Sequence, residues 1–359
     1  VERRWKITAG LGVAVLIGGL IYVRTSAPTS GTARDKSAGE GASGSETAAV
    51  DPHANGEAGA ASAAGDPNAS ATVDASSPPP LVTAKWGREK GQLGRERPQE
   101  GNPEGPMSLA FAGDDLLVLD QVNGRLVRYG KDGRVRGASD APTTAQDLAV
   151  GKDGTVAMID RLVGKAVTLT DANGRKIGQL PLDKRVGEPG LVTAVVVDGK
   201  TVYVEKEHGA LVPIGTTDGQ PADDAPELTG RPSKDGELLL TAGLTSKREG
   251  RAYVNAMDRK SGSLRFARAV QFPRPAQAIV LLDSDARGAI YLGVASGEPA
   301  QASVACLDRT DGHVLGRITL PLSQTPEESF RDMTVADDGT IVYALRTDDG
   351  VEYLRARCP

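Results

Sequence analysis

From residue 81 onward, short runs of apolar and β-branched residues alternate with tight-turn dipeptides. The turns are Asp132-Gly133, Asp153-Gly154, Asn173-Gly174, Asp198-Gly199, Asp218-Gly219, Asp235-Gly236, Asp311-Gly312, Asp338-Gly339 and Asp349-Gly350. Tight hairpin turns need positive φ, which glycine supplies and Asn or Asp tolerates, so this spacing predicts hairpin after hairpin. No amphipathic helical period interrupts them. The region predicts an all-β fold.

The strand pattern repeats. Met107-Ser108-Leu109-Ala110-Phe111 is followed by Leu116-Leu117-Val118-Leu119-Asp120, Arg125-Leu126-Val127-Arg128-Tyr129 and Asp132-Gly133-Arg134-Val135. The same series returns from Gln146 and again from Arg331, with looser copies starting near Leu191, Gly230 and Ala276. The second strands of those looser copies fall at 201–205, 237–242 and 289–294. Each unit is a four-stranded meander of roughly 45 residues, the size of a propeller blade. The count predicts a six-bladed β-propeller. A two-sheet sandwich is the competing architecture, but it leaves the period unexplained. The last copy runs out of chain after its third strand, while a spare strand at 81–86 precedes the first. That strand is predicted to complete the sixth blade and close the ring.

The first copy also carries a family likeness. Trp86-Gly87-Arg88-Glu89, then Pro103-Glu104-Gly105-Pro106-Met107-Ser108-Leu109-Ala110, then Val118-Leu119-Asp120-Gln121-Val122-Asn123-Gly124-Arg125-Leu126-Val127 resemble an NHL-type repeat. The second copy keeps it in part, with Asp160 and Lys165 standing for Asp120 and Arg125. The resemblance implies the six-bladed fold. NHL-type and related propellers mostly bind proteins or other ligands, and some relatives are metal-dependent lactonases or lyases. Fold alone does not choose between these.

Candidate chemistry falls into two groups. Asp120 with Arg125, and Asp160 with Lys165, straddle the turn between second and third strands, where ion pairs would pin each blade. Ser108, Asp147, Gln277 and Asp332 sit near the starts of the innermost strands and are the candidate ligand-binding residues of the central channel. Converging carboxylates there would hold a hard cation such as calcium. The competing reading is a solvated funnel with no specific ligand. A metal-dependent hydrolase would want an Asn at an inner-strand start, and Asn102, Asn123, Asn173 and Asn255 all fall elsewhere. The charged loops 205–208 and 246–251 offer a partner-facing surface, and the acidic stretch 218–227 reads as an excursion of the third blade.

Two regions precede the repeats. Residues 7–23 carry no charge and follow Arg3, Arg4 and Lys6. That is the length of a minimal membrane-spanning helix with a cytoplasmic N-terminal flank. We assign residues 1–24 as a signal anchor; a cleaved signal peptide is the alternative. Residues 25–80 are built almost wholly from Ala, Gly, Ser, Thr, Pro, Asp and Glu, with Val50 and Val73 as the only large aliphatics. Such a stretch buries too little to offset chain entropy and is expected to be a disordered linker. Residues 81–359 form the propeller domain.

Composition narrows the function classes. The net charge of -5 comes without a basic cluster, which argues against nucleic acid as a partner. Three histidines, His53, His208 and His313, lie too far apart in sequence to suggest a His-based metal site. Cys306 and Cys358 are the only cysteines, and outside the cytoplasm an even count invites a disulfide. The reading is a single-pass, cell-membrane protein with its propeller outside the cytoplasm, in the periplasm if the source has two membranes. Its function would be non-catalytic binding or scaffolding of a protein partner in the cell envelope, with no required cofactor. The alternative is a cation-dependent hydrolase or lyase with its site in the channel.

Overall fold

The structure, a computed structural model, describes residues 79–182, 185–222 and 225–359, together with the backbone of Ala71–Thr72. The expected membrane helix and most of the expected linker lie outside the described residues. Among the described residues, no helix is long and apolar enough to cross a membrane.

Six separate sheets follow one another along the chain. Blade 1 comprises Ser108–Ala112, Asp115–Asp120, Arg125–Tyr129 and Val135–Asp140. Blade 2 comprises Asp147–Val150, Val156–Asp160, Ala166–Thr170 and Lys176–Pro181. Blade 3 has Val192–Asp198, Thr201–Lys206 and Leu211–Thr216. Blade 4 has Arg231–Pro232, Leu238–Ser246, Arg251–Asp258 and Leu264–Gln271. Blade 5 has Ala278–Ser284, Ile290–Ser296, Gln301–Leu307 and Val314–Pro321. Blade 6 has Met333–Val335, Ile341–Arg346 and Gly350–Ala356, and takes Val82–Lys85 as its outer strand. First strands contact each other between blades 1 and 2, 2 and 3, 5 and 6, and 6 and 1, and the second strand of blade 4 contacts the first of blade 5, so the chain is a six-bladed β-propeller.

The ring closes as the repeat count implies. Val82 pairs with Tyr353, Thr83 with Glu352, Ala84 with Val351 and Lys85 with Gly350. Val82 and Ala84 are buried while Thr83 and Lys85 face out, so the strand alternates as a half-covered edge should. Second strands behave differently. Val156–Asp160 and Ile290–Ser296 are buried at every position, because a neighbouring blade covers each face. That is why they read as continuous apolar runs rather than alternating ones. The cores are accordingly shared between blades. Ile159 and Leu169 of blade 2 pack with Val195, Val204 and Ile214 of blade 3, and Val118 of blade 1 packs with Val351 and Tyr353 of blade 6.

Two blades depart from the four-stranded expectation. Blade 3 has three strands. Its fourth is replaced by an excursion that, among the described residues, forms one isolated β-bridge to the sheet, where Leu211 exchanges both backbone hydrogen bonds with Leu228. Pro221 and Pro226 lie in that excursion, and proline cannot donate to a sheet ladder. Blade 5 gains a fifth strand: Ala71–Thr72, inside the stretch expected to lack structure, pairs in parallel with Ile318 and Thr319. At the chain's end, Cys306 and Cys358 are joined as a disulfide with Cα atoms 6.4 Å apart, tying the third strand of blade 5 to the tail of blade 6.

Candidate functional site

The central channel is filled by charged side chains that satisfy one another. Asp147, fully buried at the start of blade 2, accepts from Ser108 Oγ of blade 1 at 2.7 Å and from the Val195 amide of blade 3 at 3.1 Å. Arg331, leading into blade 6, donates Nη2 to the same carboxylate at 2.7 Å. One carboxylate thus binds four blades together. Glu205, at the end of blade 3's second strand, receives Nε and Nη2 of Arg231 from blade 4 at 2.7 and 2.8 Å, and Thr193 Oγ1 at 2.8 Å. Burial alone would raise the Glu205 carboxyl. Hydrogen bonds from Arg231, His208 and Thr193 outweigh it and hold the group far below the usual carboxylate range.

Two further pairs complete the set. Asp332 takes both terminal nitrogens of Arg346, at 2.7 and 2.8 Å, and Ser329 Oγ at 2.6 Å. Arg346 also donates to the Pro106 carbonyl at 2.8 Å. Asp283 accepts from the Val335 amide at 2.9 Å and lies 3.9 Å from Lys234, which donates to the Val335 carbonyl. Four carboxylates therefore face four cations: Arg331, Arg231, Arg346 and Lys234. This balance suits a stapled core. A cation site would need a surplus of oxygen donors.

Of the residues expected in the channel, Ser108 and Asp147 meet directly; Asp332 pairs with Arg346 instead, and it is its chain neighbour Arg331 that reaches Asp147. Gln277 does not join them. It is exposed at the rim of blade 5, where its amide bonds the Ala295 carbonyl. Sequence reading missed Arg231, Lys234, Asp283 and Arg346 as channel residues and placed Glu205 in an exposed loop. The available signal was position: Arg231 opens an inner strand just before Pro232, and Glu205 occupies the place that Asp120 and Asp160 hold in their blades.

Those second-strand ends share a device. Asp120 accepts from the Gly94 amide, Asn123 Nδ2 and Arg125 Nε at 2.8, 2.9 and 2.8 Å, so the expected Asp120–Arg125 pair is present. In blade 2 the expectation is corrected. Asp160 accepts from the Val163 and Gly164 amides at 2.9 and 2.8 Å and from Thr144, and Lys165 is not among its partners. Lys165 itself sits in the left-handed region, with φ 46°, and the two turn amides take the place that Arg125 has in blade 1.

The same face carries the propeller's exposed features. Over blades 6 and 1 it is covered by a strap in which Glu96 pairs with Glu104 and Glu104 with Glu328. Over blades 2 and 3 it is open. There Arg161 lies 5.0 Å over the Phe330 ring and donates Nη1 to the Gly190 and Val192 carbonyls at 2.6 and 2.9 Å. Leu162 and Val163 follow it in the chain and Leu191 lies between the two residues whose carbonyls it bonds; they are 48 %, 71 % and 39 % exposed. Away from this face, one group of side chains among the described residues brings metal-ligating atoms together: Asp308, Asp311 and His313, on a largely exposed turn of blade 5.

No known family model matches the chain, and no curated protein matches it. Solved structures do resemble it. A functionally unknown protein from Desulfotomaculum acetoxidans is 12 % identical with a TM-score of 0.46, covering 70 % of this chain and 86 % of its own. A streptogramin B lyase structure is 12 % identical with a TM-score of 0.41, covering 72 % and 96 %. BamB from Moraxella catarrhalis is 15 % identical with a TM-score of 0.36, covering 69 % and 83 %. Likeness at this level carries no functional argument; the propeller is established by the sheets themselves.

Proposed function

We propose that this chain is a membrane-tethered, extracytoplasmic propeller that binds a protein partner without catalysing a reaction on it. The observation that carries this reading is the division of labour on one face. The channel's charges are consumed in holding blades together. Beside it, the apolar residues Leu162, Val163 and Leu191 face solvent. A catalytic carboxylate must be free to take or give a proton at the reacting atom. Asp147, Glu205 and Asp332 are each already engaged by guanidinium groups. Grouped apolar side chains on a soluble face mark an interaction surface.

Tethering rests on the uncharged run at 7–23 and its basic flank. Cross-linking of intact cells followed by purification of the full chain tests the reading. It should recover a defined extracytoplasmic protein. Recovery of none, or of a cytoplasmic partner, would contradict it.

A further inference from the structure

Arg161 is a cation without a counter-ion. Its guanidinium is half-buried, and burial pushes its pKa down, opposed only by the more distant Glu328. No carboxylate lies within ion-pair distance of it among the described residues. Glu328, the acid that acts on it, is exposed and takes Asn102 Nδ2 at 2.6 Å instead. Nη1 is spent on two carbonyls, and among the described residues Nε is buried without a partner and Nη2 has no acceptor. The other buried or half-buried channel cations all have acids: Arg231 has Glu205, Arg331 has Asp147 and Arg346 has Asp332. Arg161 stands apart on the open side of the same face.

Its surroundings are also out of pattern. The turn from second to third strand is polar in blade 1, where Gln121–Asn123 forms a 3-10 turn anchored to Asp120. It is polar in blade 3, where Glu207 and His208 occupy it with positive φ. In blade 2 the same turn presents Leu162 and Val163 to solvent. Leu191 sits between Gly190 and Val192, whose carbonyls hold Arg161, so all three exposed apolar residues lie next to Arg161 or to its acceptors in the chain. An aromatic-stacked arginine with exposed apolar residues beside it has the composition of an interface hot spot.

We infer that this patch is the docking site for a partner segment that presents a carboxylate to Arg161, flanked by apolar side chains that cover Leu162, Val163 and Leu191. The inference rests on the binding-module reading and specifies its contact. A carboxylate is the complement because Nη2 remains an unspent donor on a guanidinium whose charge no acid neutralises. Glu188, Glu207 and Glu328 are exposed nearby and oppose any anion, so a single carboxylate placed directly on Nη2 fits better than an extended anionic lipid surface.

The test uses the full chain in detergent micelles and a random heptapeptide display library. Selected peptides should carry Asp or Glu beside Leu, Ile, Val or Phe. Arg161→Gln and Val163→Asp should each weaken a selected peptide by about tenfold or more, the effect of losing a charge-assisted hydrogen bond or its apolar cover. Lys247→Gln, over blade 4, should not. Val163 is exposed, so its variant folds even if Arg161→Gln does not. Peptides without a carboxylate, equal affinity for the Val163→Asp protein, or no selected peptide at all would overturn the inference. So would binding to phosphatidylglycerol vesicles that Val163→Asp abolishes. If the patch fails while cells still yield a cross-linked partner, the binding-module reading stands and its contact lies on another face.

Discussion

Glu205 of blade 3 and Arg231 of blade 4 meet side by side, with two parallel hydrogen bonds of 2.7 and 2.8 Å across the channel. The pair joins the one blade that lacks an outer strand to a blade whose inner strand is two residues long. Few backbone contacts span that junction, so side chains must hold it.

Removing one partner should therefore be costly. Arg231→Met leaves a buried carboxylate unpaired, and the expected loss is about 3 kcal/mol, at the lower end for a broken buried pair because Arg231 keeps some exposure. Arg231→Met with Glu205→Leu should recover part of it. Urea unfolding of the two variants is the check. A single variant within error of the wild type would show that the junction does not depend on the pair.

The same carboxylate predicts an acid response. Its folded pKa lies below the ordinary 4.5, so its contribution is full above about pH 4.5 and is lost as pH falls toward the folded value. Glu205→Gln should flatten the stability profile over that interval. A profile unchanged by the substitution would assign the acid sensitivity to other groups.

Ring closure makes two linked predictions. Deleting residues 79–85 removes the outer strand of blade 6 and should destabilise the whole domain, whereas deleting 30–65 should not. Gly133 probes the same seam. With φ 75°, a Cβ there would lie 1.9 Å from the Leu81 carbonyl oxygen, while Gly236 at φ 78° meets nothing within 4 Å. Gly236→Ala should lose about 1 kcal/mol from left-handed strain, and Gly133→Ala a further ~1–3 kcal/mol from the clash. Equal losses in thermal melts would mean the closing strand yields freely.

Most of this architecture was readable from residue order. Asp-Gly turns and apolar runs encode local geometry, so the blades and the closing strand followed from them. The missing strand of blade 3 was half-visible in its prolines. The channel was less readable because its pairs join residues far apart in sequence. Asp147 to Arg331 and Lys234 to Asp283 depend on blade rotation about the axis, which periodicity does not report. Arg161 was invisible for a related reason. What distinguishes it is the absence of an acid that only three-dimensional neighbours could have supplied.

The disulfide predicts that protein isolated from its native compartment has no reactive thiol under denaturing, non-reducing conditions. The sequence separation of 52 corresponds to about 4 kcal/mol in the loop-entropy treatment. Reduction should lower the unfolding midpoint accordingly. Two titratable thiols would show the bond does not form in the cell.

The central claim is that the face over blades 2 and 3 holds a protein partner outside the cytoplasm. A photo-activated cross-linking residue placed at Val163 in the full chain, in living cells, reads this directly. Lys152, exposed on the turn at the opposite end of blade 2, is the control position. Val163 should yield one discrete cross-linked extracytoplasmic protein, and Lys152 should not. No adduct at Val163, or the same adducts at both positions, would contradict the account.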